Sequence, residues 1–181
     1  MTVTHPTELP CDPTCKHCQG HGFTRFNPIC HCVYVTIFFI CYRRFRRAAA
    51  ADAYQRKITF DFVSGGNQAK HITWSRLNED YIADFTSLAR RTLPAHLSLI
   101  FRLRFLLNAA PELIQTRATI SRRTYYSHLN EIQRTMGHAI LNQSPYSLFP
   151  PSTYFGTTET DPEPERVHAQ PARHSAAVRS A

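Results

Sequence analysis

Two close pairs of cysteines, Cys15-Lys16-His17-Cys18 and Cys30-His31-Cys32, stand eleven residues apart near the start of the chain. No other feature constrains the fold as much. A tetrahedral Zn²⁺ takes four thiolate or imidazole ligands, and two short turns supplying two sulfurs each are the usual way to deliver them. The CxxC turn aims both of its sulfurs at one point, and Gly20 and Gly22 permit the sharp return of the chain that follows. The expected ligands are Cys15, Cys18, Cys30 and Cys32. His17, His21, His31 and Cys11 are alternative donors, each read in preference as a surface or neighbouring group. With four protein ligands no coordination position stays open, so this would be a folding site and not a hydrolytic one. Inert buried thiols or a redox CxxC would also explain cysteines here, but a redox pair requires no second pair close by.

The balance of charge narrows the partners. Among 181 residues, Lys and Arg total 21 against 13 Asp and Glu, a net charge of +8. The stretch from Gly156 to Ala181 carries Glu159, Asp161, Glu163 and Glu165 against Arg166, Arg173 and Arg179, so residues 1–155 hold +9. That stretch lacks apolar periodicity and reads as a disordered tail over 156–181, since it cannot bury enough apolar area to offset the entropy of ordering. A basic remainder with 43% hydrophobic residues suits a folded protein that meets nucleic acid. The longest apolar run, Val33 to Tyr42, is well short of the ~20 residues of a membrane span. It also lies behind the cysteines, where a signal peptide would not. Free metal-ligating cysteines with no secretion signal point to a reducing, cytoplasmic setting.

Periodicity organises the rest. Residues 1–10 read as a flexible lead and 11–32 as a zinc knuckle. Over 33–57 an amphipathic helix is expected, with Ile37, Phe38, Cys41, Phe45 and Ala48 on one apolar stripe. Cys41 on that stripe is a small core residue. Residues 58–75, with ITFDFV and KHITW around Ser64-Gly65-Gly66-Asn67, read as a short hairpin or an irregular loop. A helical domain follows over 76–155. Asn78 is a candidate cap for a helix to about Arg91, and Pro94 opens another to about Leu107. Pro111 starts a short helix ending near Arg117, and Ser121 caps a longer one to about Leu141. The segment PYSLFPPSTYF is expected to pack back on the core as an extended clasp. The fold class is mainly α.

Residues 111–140, PELIQTRATISRRTYYSHLNEIQRTMGHAI, have the parts of a helix-turn-helix. Ala118-Thr119-Ile120 would be the turn, and Tyr125, Leu129, Ile132 and Met136 the inward face of the second helix. Ser121, Arg122, Arg123, Thr124, Tyr126, Ser127 and His128 would then gather at the outward N-terminal end, where base contacts concentrate in such motifs. Arg43, Arg44, Arg46 and Arg47, interleaved with Tyr42 and Phe45, form a second basic cluster suited to phosphates.

Three resemblances attach to these motifs. CKHCQGHG resembles one CxxCxGxG unit of the DnaJ-type cysteine-rich zinc domain, which implies zinc binding but, with one unit where that family has four, not chaperone activity. ISRRTYYSHL resembles the start of the recognition helix in sigma-factor region 4-like domains and in phage late-gene antiterminators of the Q type. Thr119 occupies the turn position where that pattern usually carries Gly. CVYVTIFFICYRRF, EDYIADFTSLARRTL and YSLFPPSTYF, taken with the cysteines, look like prophage-encoded bacterial proteins that join a zinc knuckle to a helical domain. The second resemblance implies a transcription regulator that contacts double-stranded DNA, with RNA polymerase as the alternative partner, and the third brings no established activity with it.

No phosphate-binding glycine loop, GxSxG or HExxH occurs, and the expectation is a non-enzyme. A zinc-containing adaptor that binds RNA polymerase or another protein without reading DNA is the alternative of a different class. A nucleic-acid enzyme using Glu79, Asp80 and Asp84 is the third, although acids in a first helical turn are explained as well by the helix dipole.

Overall fold

A computed structural model describes residues 9–24, 29–63, 76–143 and 147–156, and for Asp52 and 54–63 the backbone course alone. Residues 1–8 of the lead expected over 1–10, residues 64–75 of the expected hairpin or loop, and the tail beyond Gly156 lie outside the described residues. Six α-helices follow in order: α1 His31–Val63, α2 Arg76–Thr92, α3 Ala95–Phe101, α4 Pro111–Ala118, α5 Arg122–Asn142 and α6 Pro151–Phe155. There is no strand among the described residues, and no helix there is long and apolar enough to cross a membrane.

The first helix is longer at both ends than its apolar stripe indicates. It takes in Cys32 at the start and continues through ITFDFV to Val63, so the hairpin reading fails for 58–63. The physical reason lies in cooperativity. Each added helical residue gains a hydrogen bond once the helix is nucleated, and strand preference spans only ~1 kcal/mol. No Gly or Pro interrupts α1 before Ser64-Gly65-Gly66.

α1 packs against α5 and α2, and α3 against α5 and α4. The predicted stripe of α1 is buried in full: Ile37, Phe38, Cys41 and Ala48 expose nothing, and Phe45 is buried beside them. It meets Tyr81, Phe85, Leu88 and Ala89 of α2, and Ile132, Met136 and Ile140 of α5, in one core. Phe38 and Tyr42 each stand edge-on to Phe105, with ring centroids 5.1 and 5.2 Å apart, and Phe45 stacks on Phe85 at 4.9 Å. Such pairs add ~0.5–1.5 kcal/mol each beyond the area they bury.

α3 ends in a π-helical turn over Arg102–Leu106, where the Leu107 amide donates to the Arg102 carbonyl at 3.0 Å. The Tyr42 hydroxyl donates to the Phe105 carbonyl at 3.0 Å, so a carbonyl of this irregular helix end finds its partner on α1. Asn78 lies inside α2, which begins at Arg76, and it is not a cap. The clasp packs on the core as predicted but is not extended. Leu148 is fully buried, and Tyr154 and Phe155 lie in the one-turn helix α6 with rings 4.9 and 5.2 Å from that of Tyr81.

Ser121 does cap α5. Its hydroxyl oxygen accepts the Thr124 amide at 3.1 Å and lies 2.8 Å from the Thr124 hydroxyl. Ser121→Ala removes the acceptor for that amide and is expected to cost ~1 kcal/mol, read as a lower urea midpoint at constant slope. Ser121→Asp should restore most of it. An unchanged midpoint in the alanine variant would show the cap to be idle.

Candidate metal centre and basic helix ends

The knuckle is built from local turns. Asp12 accepts both the amide and the hydroxyl of Thr14, at 2.8 and 2.7 Å, and the Cys15 amide donates to the Asp12 carbonyl at 3.1 Å. Gln19, Gly20 and Gly22 all adopt positive φ, so the chain doubles back directly after Cys18. A side chain on Gly20 would press on the Pro13 backbone at 3.3 Å, a second reason for glycine there beyond its φ of +83°. The Cys30 amide then donates to the Gly22 carbonyl at 2.8 Å and brings the second pair back against the first. Cys32 lies in the opening turn of α1.

Cys15, Cys18, Cys30 and Cys32 offer sulfurs that all lie within 4.8 Å of one another, as the spacing predicted. Cys15 and Cys30 sulfurs are 3.8 Å apart, and those of Cys18 and Cys32 are 3.4 Å apart. Both distances exceed a disulfide's ~2.05 Å, and all six cysteines are free. A tetrahedral ion at ~2.3 Å from each sulfur sets neighbouring sulfurs ~3.8 Å apart, so the four fit a metal ion of that kind. The acidities are uneven. Burial opposes ionisation of Cys18, but the Gly22 amide, the Cys32 thiol and the Gly20 amide outweigh it and bring Cys18 down to about 7. Amide hydrogen bonds from Cys18 and His17 lower Cys15 as well. Burial pushes Cys30 and Cys32 up. Ionising all four together would need a cation among them, since like charges this close repel.

The alternative donors stand outside this set. Cys11 donates its thiol to the Gly20 carbonyl at 2.8 Å, and burial raises its pKa. His17, His21 and His31 are exposed. Cys41 is a core residue as expected, its thiol pushed up to about 12 by burial and set 3.4 Å from the Leu148 carbonyl.

Beyond the knuckle, α4, a short turn and α5 follow one another along the chain, and α4 packs mainly on α3 and its π-helical end. α4 ends at Thr119, which takes the left-handed conformation (φ 54°, ψ 47°) that favours glycine, and Ile120 and Ser121 lead into α5. Tyr125, Ile132 and Met136 are buried, and Leu129 packs partly against the core. Ser121, Arg122, Arg123, Tyr126 and Ser127 are exposed, and Arg122 leans over the Tyr126 ring at 5.9 Å. Thr124 is half-buried with its hydroxyl on Ser121. His128 departs from this group. Only 22% of its side chain is exposed, and it turns toward α3, where its ring lies 5.4 Å from that of His96.

The arginines of α1 divide likewise. Arg43, Arg46 and Arg47 are exposed, whereas Arg44 is half-buried. Its guanidinium lies 3.8 Å over the Phe155 ring and donates to the Asn78 side-chain carbonyl at 3.4 Å. Arg44 therefore ties α1 to α2 and α6 and leaves the expected phosphate set, because the folded chain supplies it with an aromatic face. Arg44 and Ser127 stand near opposite ends of α2. Arg44 meets Asn78, while Ser127 shares a groove with Thr92, ~21 Å further along that helix at 1.5 Å per residue.

The acidic trio does not converge. Asp80 sits 3.9 Å from Arg76, Asp84 accepts the Tyr154 hydroxyl at 2.8 Å, and these carboxylates form no metal-binding group among the described residues. Two features escaped the sequence. His96 joins His128 and Glu131 as a second group of metal-binding donors, and Gly137 presses on the α1 backbone. The i, i+3 spacing of His128 and Glu131 was the only local signal for the first.

The described chain is thus a mainly helical protein with a four-cysteine candidate metal centre at the entry to its longest helix. No family model, no curated protein and no solved structure matches it.

Proposed function

We propose that this protein is a DNA-binding transcription regulator that lays the N-terminal end of α5 in the major groove and uses a structural Zn²⁺ to hold the start of α1. One observation carries the reading: a capped helix whose inner face is locked in the core offers Arg122, Arg123, Tyr126 and Ser127 to solvent in its first two turns. Arg forks onto guanine edges, and Ser and Tyr hydrogen-bond bases or phosphates. Arg43, Arg46 and Arg47 serve as phosphate contacts. The net charge of +9 on residues 1–155 supports the same partner.

The test is duplex binding by the parent and two variants at several salt concentrations. Arg122→Ala/Arg123→Ala should leave stability nearly unchanged, since exposed charges seldom alter it by more than ~0.5 kcal/mol. It should shrink sequence discrimination by ~1–3 kcal/mol for each lost base contact. Arg43→Gln/Arg46→Gln/Arg47→Gln should weaken all duplexes alike and reduce the slope of log affinity against log salt by ~0.9 per contact. A double variant that binds and discriminates like the parent would remove α5 as the reader.

A second reading, an adaptor for RNA polymerase or another protein, is favoured by one observation: Leu107 and Leu113, on either side of the turn into α4, are 68% and 52% exposed. Absence of duplex binding by the parent at low salt would leave this reading standing.

A further inference from the structure

His96, from the first turn of α3, and His128 and Glu131, one turn apart on α5, bring three donor atoms within 4.8 Å of one another. None of the three belongs to the cysteine knuckle. The histidine Nδ1 of residue 128 is cut off from solvent and has no hydrogen-bond partner. It lies 3.5 Å from the Glu131 carboxylate oxygen, close enough to attract it but without the geometry of a hydrogen bond. A buried imidazole nitrogen left in this state is normally destabilising, because it has given up water and gained no partner. The same separation is what an ion between the two atoms would impose. A tetrahedral Zn²⁺ with nitrogen at ~2.0–2.1 Å and oxygen at ~2.0–2.2 Å places them ~3.4 Å apart. The His96 ring stands at 62° to that of His128 with centroids 5.4 Å apart, so the third donor arrives from the facing helix.

We infer that His96, His128 and Glu131 form a second metal site, which takes a divalent ion of borderline hardness, Zn²⁺ first among them, and clamps α3 to α5. Two imidazoles and a carboxylate suit Zn²⁺ better than the oxygen-seeking Mg²⁺ or Ca²⁺, and better than Cu⁺, which seeks sulfur. Three protein donors leave one coordination position for solvent. Glu131 also lines a groove of about 710 Å³, together with Thr92, Ser127, Asn130 and Arg134, through which an ion and its water can enter. The knuckle is closed by four sulfurs, whereas His96 and Glu131 here are exposed, so this ion should exchange faster.

The experiment counts zinc bound to the tag-free full chain at equilibrium dialysis against Zn²⁺ of fixed free concentration, in the parent and in His96→Gln. Residue 96 is exposed, so the substitution leaves the core packing alone. The expected result is one zinc fewer per chain in the variant, with the same loss in Glu131→Gln. Because the readout is a difference, it holds whether or not the cysteine site is filled. A parallel measurement keeps the result independent of surface histidines. Added Zn²⁺ should raise the melting temperature of the EDTA-washed, zinc-reloaded parent above that of His96→Gln treated identically, because a bound ion stabilises the state that binds it. Equal zinc counts in parent and variant, or equal melting temperatures, would overturn the site.

Discussion

Chelation of the native protein should raise the number of thiols that react with a disulfide reagent to five, while Cys41 stays silent. The four knuckle sulfurs are shielded when they share an ion, because a bound thiolate is no longer free to attack. Once the ion leaves, Cys15, Cys18, Cys30 and Cys32 join Cys11. Cys41 is fully buried between α1 and α2, and its thiol is held at about 12, so it reports whether the helical core has survived. Structural zinc contributes an apparent ~10–16 kcal/mol in zinc-finger peptides, comparable with the whole stability of many domains at ~5–15 kcal/mol. Cys18→Ser should therefore abolish binding at the knuckle and give a loss of several kcal/mol, centred on residues 11–36. Beyond that stretch, α1 is held independently by Ile37, Phe38 and Cys41. Hydrogen exchange should show the loosening confined to the knuckle and the first turn of α1. Knuckle thiols that are equally reactive before and after chelation, in protein purified under reducing conditions, would end the metal assignment.

Gly137→Ala should destabilise the protein strongly even though alanine is the better helix former. A Cβ on residue 137 would lie 1.9 Å from the Tyr34 carbonyl oxygen and 2.5 Å from its carbonyl carbon. Both obstacles are backbone, so no rotamer change relieves them, and α1 and α5 must part. Separation would open the contact shared by Ile37, Phe38, Met136 and Ile140, all of them fully buried, and shift the Tyr34 and His138 rings, now 5.3 Å apart. Overpacking typically costs ~1–3 kcal/mol and at times more. Alanine returns at most ~1 kcal/mol through helix propensity. A net loss of roughly 2 kcal/mol is expected, read as a lower urea midpoint. A raised midpoint would mean that the two helices can slide apart at no cost.

These two predictions draw on different parts of the problem. The knuckle was legible because metal ligation here is local: CxxC, two glycines and CxC lie within eighteen residues, and each turn is closed by bonds to its neighbours. The clash at Gly137 was not, since it depends on which helix crosses there. A lone glycine in a strongly periodic helix does signal close approach of another backbone. Its partner, Tyr34, lies more than a hundred residues away.

Burial followed the same division. Periodicity named the inward residues of α1 and α5 because a helix fixes which side chains share a face. Ser121 was readable as a cap and Pro111 as a helix start, since both act through the backbone within a few residues. The run 58–63 was misread because its alternation resembles a strand, and what governs it is the helix already propagating from His31.

By itself, then, the sequence determined the four-sulfur site, the helical class and the apolar faces, all set by interactions within a turn or two of chain. Tertiary structure alone decided what the polar groups meet. It sent Arg44 onto Phe155 and Asn78, drew Asp84 to Tyr154, and turned His128 away from Arg122 and Arg123 toward His96. Charged and hydrogen-bonding side chains are long and directional, and their partners come from whichever helix the core packing brings alongside. Hydrophobic burial only requires the right face, but a hydrogen bond or a metal ligand requires the right neighbour.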